Sequence, residues 1–286
     1  MARVFHIGIP KSGTTSVQNL LTRDDRIFLS RSKYYSTSNW WTEKEEEIAF
    51  DKIFVESNET LISSGFKKVK LNEILRRISE KYPDAKIIVT IRQQEDAILS
   101  MFKYHIKYNF IGTKSLKNWM YNTDLGMDYL SLCMYGDLAK ILLTYFYKEN
   151  IHFLFYEDLK YNPKSFFNDF YKVLDIPYKE EIKSTPKNVM KFSNNQLYFL
   201  SKINHYSFTS TNTGRTIRFK KFRSLENKVK HKIIELIKVK CPSSFFDINS
   251  VDGFLKLSEE YRKSNKHLSE LGFVSEDKLN HYQYRS

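Results

Sequence analysis

Phe5-His6-Ile7-Gly8-Ile9-Pro10-Lys11-Ser12-Gly13-Thr14-Thr15 joins an apolar run to a helical pattern. Val4 to Ile9 reads as a buried strand, and the residues after Gly13 read as a helix through about Leu21. A turn of this kind offers backbone N–H groups and the positive end of a helix dipole, which together favour a phosphate. Gly13 allows close backbone approach, Thr14 and Thr15 add hydroxyls, and Lys11 adds a mobile point charge. Gly8 and Gly13 have the separation of an NTPase loop, but Thr14 stands where that loop needs Lys, which disfavours an ATPase or kinase. The plainer alternative is a Gly-Thr-Thr turn that only caps a helix.

A second segment points the same way. Ile87-Ile88-Val89-Thr90-Ile91-Arg92 reads as a strand ending in Arg, with Ser100 eight residues on, along the next helix. Open α/β sheets bind ligands beyond the carboxyl ends of their strands. A guanidinium fork there suits a phosphate, and Ser100 adds a donor. The bland alternative pairs Arg92 with Glu95 or Asp96.

Working outward, short apolar runs alternate with helical stretches, the pattern of an α/β fold with a parallel sheet flanked by helices. Strands are expected at Val4–Ile9, Thr60–Ser63, Lys86–Ile91 and Ile151–Phe155. Helices are expected at Leu71–Lys81, Glu95–Tyr108, Asp128–Lys148, Pro163–Leu174, Asn194–Asn204, Leu225–Val239 and Val251–Leu271. All four strands precede residue 156. The expectation is one domain over 1–286, with a nucleotide-binding core at 1–175 and a helical, basic-loop addition at 176–286.

Composition narrows the class. The chain has 286 residues, 41% hydrophobic and 15% aromatic, which excludes a disordered chain. Nine Gly and six Pro exclude collagen-like and low-complexity sequence. Two cysteines, Cys133 and Cys241, build no disulfide framework and favour a reducing compartment. The start has no signal-peptide pattern, and no apolar run approaches the ~20 residues of a membrane span. A cytoplasmic protein is expected. The scattered His and unpaired Cys suggest no metal.

The net charge is +13, from 46 Lys and Arg against 33 Asp and Glu, which calls for an anionic partner. Gly214 to Lys240 alone carries ten basic residues against Glu226 and Glu235, a net +8. Only Phe219 and Phe222 interleave with these charges, and no nucleic-acid module is recognisable, so an acidic glycan fits better than nucleic acid.

Taken together, Pro10-Lys11-Ser12-Gly13-Thr14-Thr15 and Ile91-Arg92 through Ser100 resemble the two nucleotide motifs of sulfotransferases that use 3′-phosphoadenosine 5′-phosphosulfate (PAPS). The flanks His6-Ile7-Gly8, Ser16-Val17-Gln18 and Arg92-Gln93-Gln94-Glu95 are similar to bacterial polysaccharide-type members. Phe155-Tyr156-Glu157-Asp158-Leu159 and Ser264-Asn265-Lys266-His267-Leu268 resemble later, weaker family patterns. The resemblance implies a P-loop-like fold and sulfuryl transfer from PAPS to an acceptor hydroxyl or amine, releasing 3′,5′-adenosine bisphosphate (PAP). It implies that Pro10 to Thr15 hold the 5′-phosphosulfate, Arg92 and Ser100 the 3′-phosphate, and Arg215 a late basic loop over the nucleotide. No metal is implied.

Acceptor activation wants a general base. Many relatives place Glu after a Ser-Ser pair, but here that position is Gly65. Glu59, His105 and His6 are the substitutes, with His6 also fitting a structural role inside its strand. For the acceptor, Tyr34, Tyr35, Trp40 and Trp41 are aromatic candidates. Lys103 and Lys107 share a helix face with Ser100 and Tyr104 by spacing. The favoured acceptor is a carbohydrate, such as a bacterial polysaccharide or glycoconjugate. Three other readings compete: a lipid or small-alcohol acceptor, a PAPS binder without catalysis, and a basic nucleic-acid-binding protein.

Overall fold

The computed structural model describes residues 3–30, 52–63, 68–108, 110, 115–181, 192–206 and 239–284. The chain divides into two compact units: Met1–Ala97, Ser131–Asn188 and Ser258–Ser286 form the first, and Ile98–Leu130 and Val189–Leu257 the second.

The first unit is built on five parallel strands: β1 (Val4–His6), β2 (Ile27–Ser30), β3 (Ile53–Ser57), β4 (Lys86–Ile91) and β5 (Ile151–Phe155). Their order is β2-β3-β1-β4-β5. The chain leaves β1 toward one side of the sheet and later fills the other side with β4 and β5. The order therefore reverses between β1 and β4, and that switch point is where such sheets open a ligand crevice. The expected segments Pro10 to Thr15 and Arg92 follow these two strands.

Helices cover the sheet because its strands are apolar on both faces. Val4 packs with Val17, Leu20 and Leu21 of α1 (Thr14–Leu21), and with Phe166, Phe167, Phe170 and Tyr171 of the helix Pro163–Val173. That helix starts on Pro163, and the Asn162 side chain accepts from the Ser165 N–H. Phe5, one residue on, points to the opposite face, with its ring 6.1 Å from Tyr82.

Two expectations need correction. Thr60–Ser63 is a helical turn, α2, and the strand lies earlier, at Ile53–Ser57. The charges of Lys52 and Glu56 mask that strand, although Glu56 is buried within it. Four residues are too few for periodicity to separate helix from strand. Ile27–Ser30 is a further strand that the pattern did not single out.

Asp128–Lys148 is not one helix. After α3 (Lys68–Lys81), α4 (Gln94–Lys107) and α5 (Leu116–Asn122), it divides into α6 (Asp124–Leu132) and α7 (Tyr135–Leu143). The break at Cys133–Met134 follows from tertiary contacts. The Cys133 carbonyl accepts from Gln94 Nε2 at 3.4 Å, and the Tyr135 hydroxyl donates to the Arg92 carbonyl. Gly136 lies against the Ser264 carbonyl, where a Cβ would come within 2.2 Å. After β5 come α8 (Tyr156–Tyr161), α9 (Pro163–Val173), α10 (Asn194–Tyr206), α11 (Phe254–Glu270) and α12 (Glu276–His281). The expected helix Leu225–Val239 lies almost entirely outside the described residues.

The second unit has its own aromatic core. Phe102 packs on Trp119 and Phe245 with ring centroids 5.5 and 5.8 Å apart, and buried Asn204 Nδ2 donates to the Ile106 carbonyl. Among the described residues, no helix is long and apolar enough to cross a membrane.

Candidate active site

Past β1, the Ile7 and Ile9 amides still donate to the Ile88 and Thr90 carbonyls, so the loop leaves the sheet only at Pro10. Both donors of Ser12, its N–H and its hydroxyl, go to the Ile9 carbonyl, at 3.0 and 2.6 Å. Ser12 thus shapes the turn from inside. Lys11 and Gly13 adopt left-handed backbone, at φ 75° and 88°. At Lys11 that conformation is strained by about 1–3 kcal/mol, the kind of strain that clusters at ligand clamps. Gly13 is required twice over, since a Cβ there would also fall 2.6 Å from Leu159 Cδ2. Gly8 has no room either, with a Cβ landing 2.9 Å from Thr14 Oγ1.

The start of α1 has no side-chain cap and no acidic residue in its first turn. Its leading amides, at Thr14 and Thr15, have no intrahelical acceptor and suit an anion. Thr14 Oγ1 is buried and makes no hydrogen bond, while Thr15 is exposed. Pro10 is buried beneath the loop and Lys11 is half-buried.

Arg92 follows β4 and turns back over this loop. Its Nη1 donates to the Lys11 carbonyl at 3.1 Å, and its guanidinium lies 4.6 Å above the Tyr156 ring. The alternative pairing with Asp96 is present only as a 3.5 Å contact to an exposed carboxylate. Arg92 Nε is buried and makes no hydrogen bond. Two orphaned polar atoms, Thr14 Oγ1 and Arg92 Nε, thus belong to the two segments at the switch point, and both fit an anion that supplies their missing partners. Behind Arg92, buried Asn265 accepts from Gln94 Nε2 at 2.8 Å. The late Ser264-Asn265 pattern therefore supports the start of α4, a role its sequence position alone does not reveal. Tyr156 was likewise visible only as a motif letter, not as the ring beneath Arg92.

The three candidate bases fare differently. His6 is fully buried, with Nδ1 2.8 Å from Ser57 Oγ and Nε2 2.9 Å from Thr90 Oγ1. Burial lowers its pKa to about 3, so it is neutral at working pH and ties β1 to both neighbours. His105 is buried in the second unit, where its Nδ1 accepts from Trp119 Nε1 at 3.0 Å. Glu59 lies just past β3. Burial raises its carboxyl above the usual range, against the opposing pull of the Lys11 charge. A carboxylate that feels the loop lysine and has a raised pKa is suited to take a proton.

Ser100, Lys103 and Lys107 lie on the part of α4 that belongs to the second unit. Ser100 is half-buried. Lys103 Nζ lies 4.9 Å from the Phe246 ring, and Lys107 Nζ 4.9 Å from the Tyr108 ring. Tyr34, Tyr35, Trp40, Trp41, Gly65 and Arg215 lie outside the described residues, as does nearly all of the Gly214–Lys240 segment. Among the described residues, no cluster of His, Cys, Asp or Glu could hold a metal ion.

A crystal structure of a sulfotransferase from Alicyclobacillus acidocaldarius matches with a TM-score of 0.52 and 15% identity, over 72% of this chain and 94% of that one. The sulfotransferase domain from the curacin biosynthetic pathway matches at 0.48 and 12% identity, covering 96% and 98%. Mouse sulfotransferase SULT7A1, complexed with PAP, matches at 0.43 and 15%, covering 100% and 89%. None of the curated proteins compared matches the chain. Residues 2–241 fit the family model of the sulfotransferase domain. With most of its length inside that match, and a phosphate-type loop at the switch point of a parallel sheet, the chain belongs to the sulfotransferase family and is an enzyme that uses PAPS as sulfuryl donor, with PAP as product.

Proposed function

We propose that this sulfotransferase modifies a hydroxyl or amine of a carbohydrate, with a bacterial polysaccharide or glycoconjugate as the acceptor. The whole chain, 1–286, is read as one sulfotransferase domain. The observation that carries the site assignment is that the segments after β1 and β4 each hold an orphaned buried group, Thr14 Oγ1 and Arg92 Nε, and that Arg92 bonds the backbone carbonyl of Lys11.

PAPS supplies an activated sulfuryl group whose departure leaves charge on a 5′-phosphate. Lys11 and the leading amides of α1 stabilise charge that develops at the loop. Thr14 donates to the same anion from beneath. Arg92, stacked on Tyr156, holds the 3′-phosphate. Glu59 takes the proton from the attacking acceptor. Its raised carboxyl and its exposure to the Lys11 charge favour a catalytic enzyme over a mere PAPS binder. The general acceleration comes from positioning and electrostatics.

Support for a carbohydrate comes from the end of α4. Tyr108 and Phe110 are exposed, Tyr104 packs 4.7 Å from Tyr108, and Lys107 lies against the same ring. Exposed aromatic faces with cations suit an acidic sugar. The excess of basic residues, +13 overall, points to the same class. The two free cysteines accord with a cytoplasmic location.

Sulfate-labelled PAPS tests this directly. The enzyme is incubated with acidic and neutral polysaccharides, lipid extracts and small alcohols, and label is followed into each. Transfer to an acidic polysaccharide is expected. Transfer confined to lipids or small alcohols would refute the carbohydrate reading.

A further inference from the structure

The family match ends at residue 241, yet the first unit is completed by residues far beyond it. Ser275 caps α12 by accepting from the Lys278 N–H, and the chain then turns back at Gln283. This places Tyr284 almost fully buried between two rings, 5.3 Å from Phe155 and 6.2 Å from Tyr135. Its hydroxyl donates to Glu157 Oε2 at 2.9 Å. The other carboxylate oxygen, Oε1, accepts from the Gln93 amide, also at 2.9 Å. The Gln93 side chain in turn accepts from the Asp96 N–H and caps α4. One residue back, Tyr135 holds the Arg92 carbonyl.

Both polar atoms of the Arg92–Gln93 peptide group are thus pinned, the carbonyl by Tyr135 and the N–H by Glu157. Glu157 is buried, and the Tyr284 hydroxyl is the side-chain donor that fixes its Oε2 while Oε1 holds the Gln93 N–H. Loss of that donor leaves the buried carboxylate less firmly oriented toward Gln93.

We propose that Tyr284 is a positioning residue for the donor: acting through Glu157, it sets the Arg92–Gln93 turn so that the guanidinium faces the 3′-phosphate of PAPS. This rests on the reading of Arg92 as a phosphate ligand. The hydroxyl comes from outside the residues that match the family model.

The neighbouring tyrosine supplies the control. Tyr282 also donates from the same segment, but to Asp158, which does not touch the Arg92 turn through any of these bonds. Replacing either tyrosine with Phe removes one oxygen and keeps the ring.

The experiment is calorimetric titration of PAP into the full chain, comparing wild type, Tyr284→Phe, Tyr282→Phe, Glu157→Gln and Glu157→Ala, with the melting temperature of each measured alongside. Tyr284→Phe should weaken PAP binding by about threefold or more. Tyr282→Phe should stay below threefold even though it loses similar stability. Glu157→Gln keeps an oxygen for the Gln93 amide and should bind more tightly than Glu157→Ala. A Tyr284→Phe effect below threefold would overturn the proposal. So would equal weakening by both tyrosine variants, or equal binding by the two Glu157 variants. Failure of the wild type to bind PAP would overturn the donor assignment itself, and this proposal with it.

Discussion

Lowering the pH from 7.5 to 5 should cost the folded protein about 2 kcal/mol through His6 alone. The ring is sealed between Ser57 and Thr90, and burial moves its pKa from 6.5 to about 3. The unfolded chain therefore binds a proton that the folded chain refuses. Stability from this group is complete above pH 6.5 and is lost progressively as the pH falls toward about 3. Integrating between the two pKa values gives about 2 kcal/mol at pH 5 and about 3 at pH 4. The assay is urea unfolding at pH 7.5 and pH 5 for the wild type and His6→Gln. Glutamine is less stable at the higher pH but does not titrate. The quantity that matters is the difference between the two pH-induced losses, in which all other titrating groups cancel. It should be about 2 kcal/mol, with the wild type losing more. A difference near zero would refute the reasoning, because it would mean that the folded ring accepts a proton at pH 5.

Glu59→Gln should lower kcat by about 10²- to 10⁴-fold while leaving PAP binding near normal. The acid limb of the wild-type rate profile should lie above pH 4.5, since Glu59 must be ionised to work and burial raises its pKa, and the variant should lose that limb. PAP should raise the melting temperature of the wild type. Arg92→Ala should largely abolish that rise, and Lys11→Ala should reduce kcat by about 10²-fold or more; an undiminished rise in Arg92→Ala would remove Arg92 from the site. Gly13→Ala should destabilise the fold by about 2–4 kcal/mol in urea unfolding, combining a left-handed backbone with a 2.6 Å clash against Leu159. A variant as stable as the wild type would show that the turn can relax.

The strongest parts of the fold were legible because their signals are local. A strand, a Gly-containing turn and a helix start are all written within Val4 to Leu21, and β4 announces itself by five consecutive strand formers, Ile87 to Ile91. The strand Ile53–Ser57 was hidden by Glu56, whose burial is a fact of three dimensions. The long apolar stretch after Asp128 carried no mark of its break at Cys133–Met134. Gln94 and Arg92 decide that break, and both lie some forty residues earlier in the chain.

The site divides along the same line. Residue type and spacing were enough to nominate Lys11, Gly13, Thr14 and Arg92, because phosphate chemistry demands those groups at a strand-to-helix turn. Sequence could not rank His6, His105 and Glu59. An imidazole and a carboxylate owe their proton affinity to burial and neighbouring charge, and these are set only when distant strands close around them. The tertiary structure made His6 a neutral tie between strands, buried His105 against Trp119, and left Glu59 under the influence of Lys11. It also brought Tyr284 to Glu157, across more than a hundred residues of chain. Local composition nominated the head of the first helix as the place for an anion. Long-range packing decided which of the nominated groups stand exposed to that place and which, like His6, hold the sheet together.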